Sequence, residues 1–285
     1  MNQSTHIDMS LSVAEQVGWK GDKKLLARNA AYPDQVRCIE VEGYGAHVVG
    51  RNLASLAHFC RPINGQKPIT YQGYCWMRDR STPHIELSKR RVISKPAEWG
   101  FPTDEMTQDC EPLFDLVRTL TGHGCLEADE FTYPTAAVMA GWCEKVMRIL
   151  PPALYSGARR QEALDTLAGW ALHFVQDCCV PHHVECLLLK GHSGFEGDCE
   201  ERWREWRGGK EAVEILKAAD VDAKAFNRQV RHICEANALA SQCSPDKLGW
   251  YRWCWRRGWN RLVDASLTRA ARSSVEALRW LQKIE

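Results

Sequence analysis

Leu172-His173-Phe174-Val175-Gln176-Asp177-Cys178-Cys179-Val180-Pro181-His182-His183, followed soon after by Gly191-His192-Ser193-Gly194-Phe195-Glu196, is the stretch on which the reading of this chain turns. Its histidines, with Asp177 and Glu196, stand at spacings that can close a metal site. His173 and Asp177 are four residues apart in a segment whose apolar residues Leu167, Trp170, Ala171 and Phe174 recur at helical spacing, so both side chains leave one face of one helix. Pro181 ends that helix, since proline has no amide hydrogen for the ladder and pushes the residue before it into extended backbone. His183 is therefore expected to leave a sharp turn and approach from a new direction. His192 and Glu196 repeat the four-residue spacing on the next helix, which Glu200, Glu201 and Trp203 carry onward. Imidazole and carboxylate without thiolate suit Zn²⁺ in a catalytic rather than a closed structural site. Either pair alone is a weak signal, more often a surface pair or a satisfied core histidine. Two pairs joined through Pro-x-His in so short a span are much harder to obtain by chance.

Outward from this stretch the pattern is helical in both directions. Towards the N-terminus it predicts helices at 158–177, 133–150 and 113–120, with Gly122, Pro134 and Pro151-Pro152 as punctuation, and no convincing strand alternation among them. Earlier still, helical spacing covers 48–59, 23–31 and an N-terminal segment that opens at Thr5-His6 and runs through Leu11, Val13, Ala14 and Val17. Tyr32-Pro33-Asp34 interrupts it, and Asp34 after a proline reads as a helix cap. Beyond the motif, helices are expected at 211–217, 222–239 and 258–283, the last with an apolar stripe of Leu262, Ala265, Leu267, Ala271, Val275, Leu278 and Leu281. Residues 63–110, rich in Gly, Pro and charge, read as a long loop insertion, either a rim over the site with a short hairpin near Ile69–Trp76 or a solvated insertion. The expected fold is all-α, one helical domain over 1–285. Trp250-Tyr251-Arg252-Trp253-Cys254-Trp255-Arg256-Arg257-Gly258-Trp259 interleaves aromatics with cations, and tryptophans this dense most often pack a helix junction.

Composition narrows the function classes. A chain of 285 residues with 45% hydrophobic and 26% charged residues has the make-up of a globular protein. A net charge of +1 gives no general attraction to nucleic acid, so no stable nucleic-acid complex is expected. No apolar run approaches the roughly 20 residues that span a bilayer, and residues 1–20 lack a basic and then apolar leader, so the expectation is a cytoplasmic protein with no transmembrane segment. Thirteen cysteines, an odd number without a Cys-x2-Cys pair, fit reduced thiols better than a disulfide framework or a zinc finger.

The motif residues resemble the zinc-dependent phospholipase C and P1/S1 nuclease superfamily, which carries His-aromatic-x-Gly-Asp, then Pro-x-His, then His-x3-Glu or His-x3-Asp. Here these are His173 to Asp177, Pro181 to His183 and His192 to Glu196, with Gln176 where the family usually has Gly. The resemblance extends to Tyr32-Pro33-Asp34, to His58-Phe59-Cys60-Arg61-Pro62 and to the closing helix. It implies an all-α catalytic domain and two to three Zn²⁺ ions. One ion would take Asp34, His58, His173 and Asp177, with His47 competing for the place of His58. A second would take His183, His192 and Glu196. A third would take His6, the amine and carbonyl of Met1, and a shared Asp177. Family members usually have Trp where Met1 stands and an acidic residue where Arg61 stands, which implies altered substrate recognition. The implied activity is phosphoester hydrolysis by in-line attack, with Asp34 as the residue that takes a proton from water. Glu196 and the phrase Gly-His-x-x-Phe-Glu resemble the phospholipase branch, acting on a phospholipid head group. The short interval from Met1 to His6 resembles the nuclease branch, acting on nucleotides. A small soluble phosphoester, or a non-catalytic helical interaction protein with a relic metal site, are the remaining readings.

Overall fold

The computed structural model describes residues 1–35, 135–150, 155–185, 191–207, 209–226, 228–243 and 256–284, with 40–41, 92–93, 125–126 and the single residues His58 and Leu248. The helices predicted at 48–59, apart from His58, and at 113–120, the loop and hairpin of 63–110 apart from Val92 and Ile93, His47, Arg61 and residues 250–255 lie outside the described residues.

What is described is an all-α architecture: α1 (Gln3–Val17), α2 (Lys23–Asn29), α3 (Thr135–Ile149), α4 (Gly157–Asp177), α5 (Pro181–Val184), α6 (His192–Arg207), α7 (Glu211–Ala225), α8 (Val230–Ala240) and α9 (Arg256–Leu281). A minimal antiparallel ladder joins three two-residue strands, β1 (Glu40–Val41), β2 (Val92–Ile93) and β3 (Cys125–Leu126), in that order. Cys125–Leu126 falls where the sequence reads as helical throughout; two residues are too short for a period of two to be visible.

The helix α4 is the axis of the fold. From Ala163 to Asp177 every residue is buried, as expected of a helix covered on all sides. α3 and α2 pack on it, with α9, α8 and α1 closing the remaining faces. Burial of Leu164, Leu167, Leu172 and Val175 contributes on the order of 1.5–3 kcal/mol each, which offsets the cost of carrying His173, Gln176 and Asp177 into the core. α2 approaches closely because residue 169 is glycine. A Cβ there would lie well inside contact distance of the Leu26 carbonyl oxygen, 2.8 Å from Asn29 Cβ and 3.0 Å from Ala30 N. The corner between α1 and α2 is pinned to α4 by Asp165, which accepts hydrogen bonds from Trp19 Nε1 at 2.7 Å and from Asp22 N at 2.8 Å. Burial, the dominant influence on this carboxyl, raises its pKa against those bonds.

Three boundaries differ from the sequence reading. α2 stops at Asn29 and a 3₁₀ turn, Tyr32–Gln35, follows, so Asp34 sits within that turn rather than capping a helix. α7 runs unbroken to Ala225, through 218–221 where a gap between helices is expected, because no glycine or proline interrupts it; the break comes instead at Phe226, in extended backbone, inside the helix expected at 222–239. His183 rides a one-turn helix, not a bare turn: Val180 is extended (φ −90°, ψ 117°) and Pro181 occupies the first helical position, where its missing N–H costs nothing.

Candidate metal centre

Asp177 is the hub of a buried polar cluster at the C-terminal end of α4. Its Oδ2 lies 2.7 Å from His58 Nδ1 and 3.0 Å from His173 Nε2. Its Oδ1 lies 3.1 Å from the Met1 amine and 3.3 Å from both His6 Nε2 and His183 Nδ1. A second focus forms beside it, with His183 Nε2 2.8 Å from His192 Nε2, and Glu196 Oε1 3.2 Å from His192 Nε2 and 3.5 Å from His183 Nε2. Asp34 Oδ1 completes the first focus, 3.7 Å from His173 Nε2 and 3.8 Å from His58 Nδ1. The nine residues named from the sequence therefore converge, although their chain positions run from 1 to 196.

Each is placed by its own local structure. Asn2 caps α1 by accepting from Thr5 N at 3.2 Å, and Glu200 of α6 accepts from the side chains of Asn2 and Ser4, so the chain before the cap is led inward and Met1 is buried. The Met1 carbonyl then lies 3.0 Å from His6 Nε2. Gly191, at φ +86°, turns the chain into α6 and thereby aims His192 back at His183. His182, also buried, packs behind this pair between the rings of His192 and Phe195, and Trp259 closes the stack with its Nε1 donating to Asp198 at 2.5 Å. Trp259 is thus a helix-junction residue.

Two of the imidazoles have a fixed proton. His173 Nδ1 faces the carbonyl oxygen of Ala30 at 2.7 Å, an acceptor with no proton to give, so His173 donates from Nδ1 and turns the Nε2 lone pair towards Asp34, His58 and Asp177. His6 Nδ1 faces Gln176 Oε1 at 2.6 Å in the same manner. Burial, the leading influence, drives the His173 pKa down to about 4 against the pull of Asp177, so the ring is neutral at pH 7. Burial likewise lowers His192, whereas at His183 the attraction of Asp177 overcomes burial and raises the pKa. The carboxyls of Asp177 and Glu196 resist burial and are held far below the usual carboxylate range, Asp177 by His183, the Met1 amine and His173, Glu196 by the amine, His183 and His192. The amine, though desolvated, is raised to about 11 by Asp177, Glu196 and Asp34. Both carboxylates are therefore anions at any physiological pH, as ligands must be.

Donor chemistry and spacing fit a metal. Ligand atoms within 4.8 Å of one another form three groups: His58, His173 and Asp177; His183, His192 and Glu196; and His6, Asp34 and His173. Bonds of about 2.0–2.2 Å at tetrahedral angles put ligand atoms roughly 3.3–3.6 Å apart, and the separations here, 2.7–3.8 Å, bracket that spacing. These buried His/Asp/Glu clusters can hold a metal ion. The second group is a set implied by the resemblance and the first is such a set without Asp34, which groups instead with His6 and His173; His6 also approaches Asp177. The Asp177 to His183 contact, 3.3 Å, is short enough for one cluster.

Sequence reasoning passed over Gln176 as a partner of His6, the Ala30 carbonyl, Gly169, His182 and the Glu200 clamp. A buried glutamine in an apolar helix is a visible signal; a backbone carbonyl on another helix leaves none. Compared with protein-family models, curated proteins and solved structures, the chain matches none of them.

Proposed function

We propose that this chain is a zinc-dependent phosphoester hydrolase, a phospholipase C-like phosphodiesterase in the first instance. The observation that carries the reading is the convergence of nine nitrogen and oxygen donors around Asp177 and the adjoining His183, His192 and Glu196. Asp34, His58, His173 and Asp177 would hold one Zn²⁺, His183, His192 and Glu196 a second, and Met1 and His6 with the shared Asp177 a third. Bound there, zinc supplies a Lewis acid for a phosphoryl oxygen and lowers the pKa of its water towards ~7.

The protein's own share follows from exposure. Asp177 is fully buried with both oxygens engaged, so it positions the cluster and cannot exchange a proton with substrate. Asp34 keeps about a quarter of its side chain accessible and stands beyond hydrogen-bond distance of its two imidazole neighbours, which suits it to take the proton of an attacking water. Glu196, similarly accessible, borders the second focus. A second reading within the same chemistry, resting on the resemblance of the motif residues, is a single-strand nuclease or 3′-nucleotidase.

The test is elemental analysis of purified protein followed by assay of the zinc-loaded form on a chromogenic phosphodiester, a phosphocholine ester, nucleotides and single-stranded nucleic acid. Asp177→Asn removes a negative charge from the shared position and is expected to abolish hydrolysis, while Glu196→Gln, at one focus only, is milder; circular dichroism of both stays helical. Zinc-loaded protein that hydrolyses none of these, and binds a protein partner regardless of Asp177, would replace the enzyme by an interaction module.

A further inference from the structure

The buried amide of Gln176 spans three helices. Its Oε1 lies 2.6 Å from His6 Nδ1 on α1, and its Nε2 donates to Ser10 Oγ on α1 at 3.0 Å and to Ser274 Oγ on α9 at 3.2 Å. All four side chains are at or below 1% exposure. Two hydroxyls take both amide hydrogens, which leaves the oxygen to face His6 and act as an acceptor. An imidazole beside a fixed acceptor carries its proton on the near nitrogen. The far nitrogen, Nε2, then presents a lone pair towards Met1 O at 3.0 Å and Asp177 Oδ1 at 3.3 Å. These acceptors gather beside the Met1 ammonium, 3.1 Å from Asp177 Oδ1, and a metal ion would supply the positive charge there once the amine has given up its proton.

We infer that Gln176 is the positioning residue of His6: held by Ser10 and Ser274, it fixes the tautomer in which Nε2 is free to bind the metal shared with Met1 and Asp177. The inference rests on the proposed metal centre and adds a residue that touches neither metal nor substrate. Gln176 stands to His6 as the Ala30 carbonyl stands to His173, one outer acceptor for each imidazole. The difference is that a side chain supplies this one, so mutation can remove it.

The experiment uses the full chain labelled with ¹⁵N-histidine, as wild type, Gln176→Met and Gln176→Glu, with His6→Gln to assign the signal. In the zinc-loaded wild type the His6 nitrogens are expected to show a single form protonated at Nδ1, with Nε2 on the metal. Gln176→Met, similar in shape but nearly without an acceptor, mixes the tautomers, and Gln176→Glu, whose ionised carboxylate only accepts, restores the single form. Zinc titration against a chelator is expected to show one equivalent weakened 10–100-fold in Gln176→Met and recovered in Gln176→Glu, the others unchanged. If Gln176→Met fails to fold, the double variant Ser10→Ala, Ser274→Ala frees the amide instead and gives the same tautomer mixing. Wild type that binds zinc, with tautomer and affinities indifferent to these changes, overturns the inference alone. Wild type that binds no metal overturns the metal centre, and the inference falls with it.

Discussion

Gly169→Ala probes the link between the packing of α4 and the chemistry at its end. Helix propensity alone favours the alanine by about 1 kcal/mol. The structure opposes it, because the new Cβ meets atoms on or next to the α2 backbone: the Leu26 carbonyl oxygen inside contact distance, Asn29 Cβ at 2.8 Å and Ala30 N at 3.0 Å. Restoring a contact of ~3.5 Å pushes α2 away by at least ~0.7 Å. The same movement carries Ala30 O away from His173 Nδ1, from 2.7 Å to ~3.4 Å, past the normal range of an N–H···O bond. Overpacking costs ~1–3 kcal/mol and a buried carbonyl left short of a donor ~1–3 kcal/mol. Set against the propensity gain, the net destabilisation is roughly 3 kcal/mol. Urea unfolding monitored by circular dichroism measures it, and a zinc–chelator competition is expected to show affinity lowered about 10–100-fold as His173 loses its outer partner. A variant as stable as wild type, with unchanged metal affinity, would show that propensity decides this site and that the α2–α4 contact does not orient His173.

Three further outcomes follow from burial and charge. In metal-free protein the unfolded chain protonates His173 near pH 6.5 while the fold resists down to about 4, so stability falls as pH drops through that window, by on the order of 3 kcal/mol; comparison with His173→Gln, which does not titrate, shows the gap narrowing from pH 7 to 4.5, and a constant gap refutes it. A residue joined ahead of Met1 turns the buried amine into an amide and removes the charge beside Asp177 and Glu196, so metal-free stability falls by about 3–5 kcal/mol and one zinc equivalent weakens while the others hold; equal stability and equal zinc content with and without the extension refute it. Cys143, Cys179 and Cys199 are buried thiols whose pKa burial drives up, Cys143 to about 12, so they react with a disulfide reagent only on unfolding, and rapid labelling of any of them in native protein, read by mass spectrometry, contradicts this.

The all-α class was legible because helical spacing leaves an unambiguous trace wherever a helix has a polar side, as in α9, or an apolar run longer than a strand, as in α4. Boundaries are legible where glycine or proline marks them: α4 ends at Asp177, shortly before Pro181. The break at Phe226 leaves no such mark, because nothing in Asp220-Val221-Asp222 or in Phe226 forbids helix; α8, which follows it, packs on α3 and α9. His183 on a helical turn was missed for a related reason, since proline excludes the helix interior yet is well suited to the first position of a new one.

For the candidate site, the division falls between side chains that touch the focus and groups that aim them. The first kind must be imidazole or carboxylate, and a spacing of four on a helix announces them: His173 with Asp177, His192 with Glu196. The second kind need only be an acceptor at the right distance, so the Ala30 carbonyl serves His173 and the Gln176 amide serves His6 with nothing in common in sequence. A backbone carbonyl belongs to every residue, and which one arrives depends on how near two helices come, which here is set by the absent side chain of Gly169. The sequence thus carries the identity of the donors locally, while their tautomers are a property of tertiary packing. It follows that substitutions at Gly169 and Gln176, neither of which contributes an atom to the centre, are expected to alter its metal affinity more than most changes on the exposed faces of the same helices.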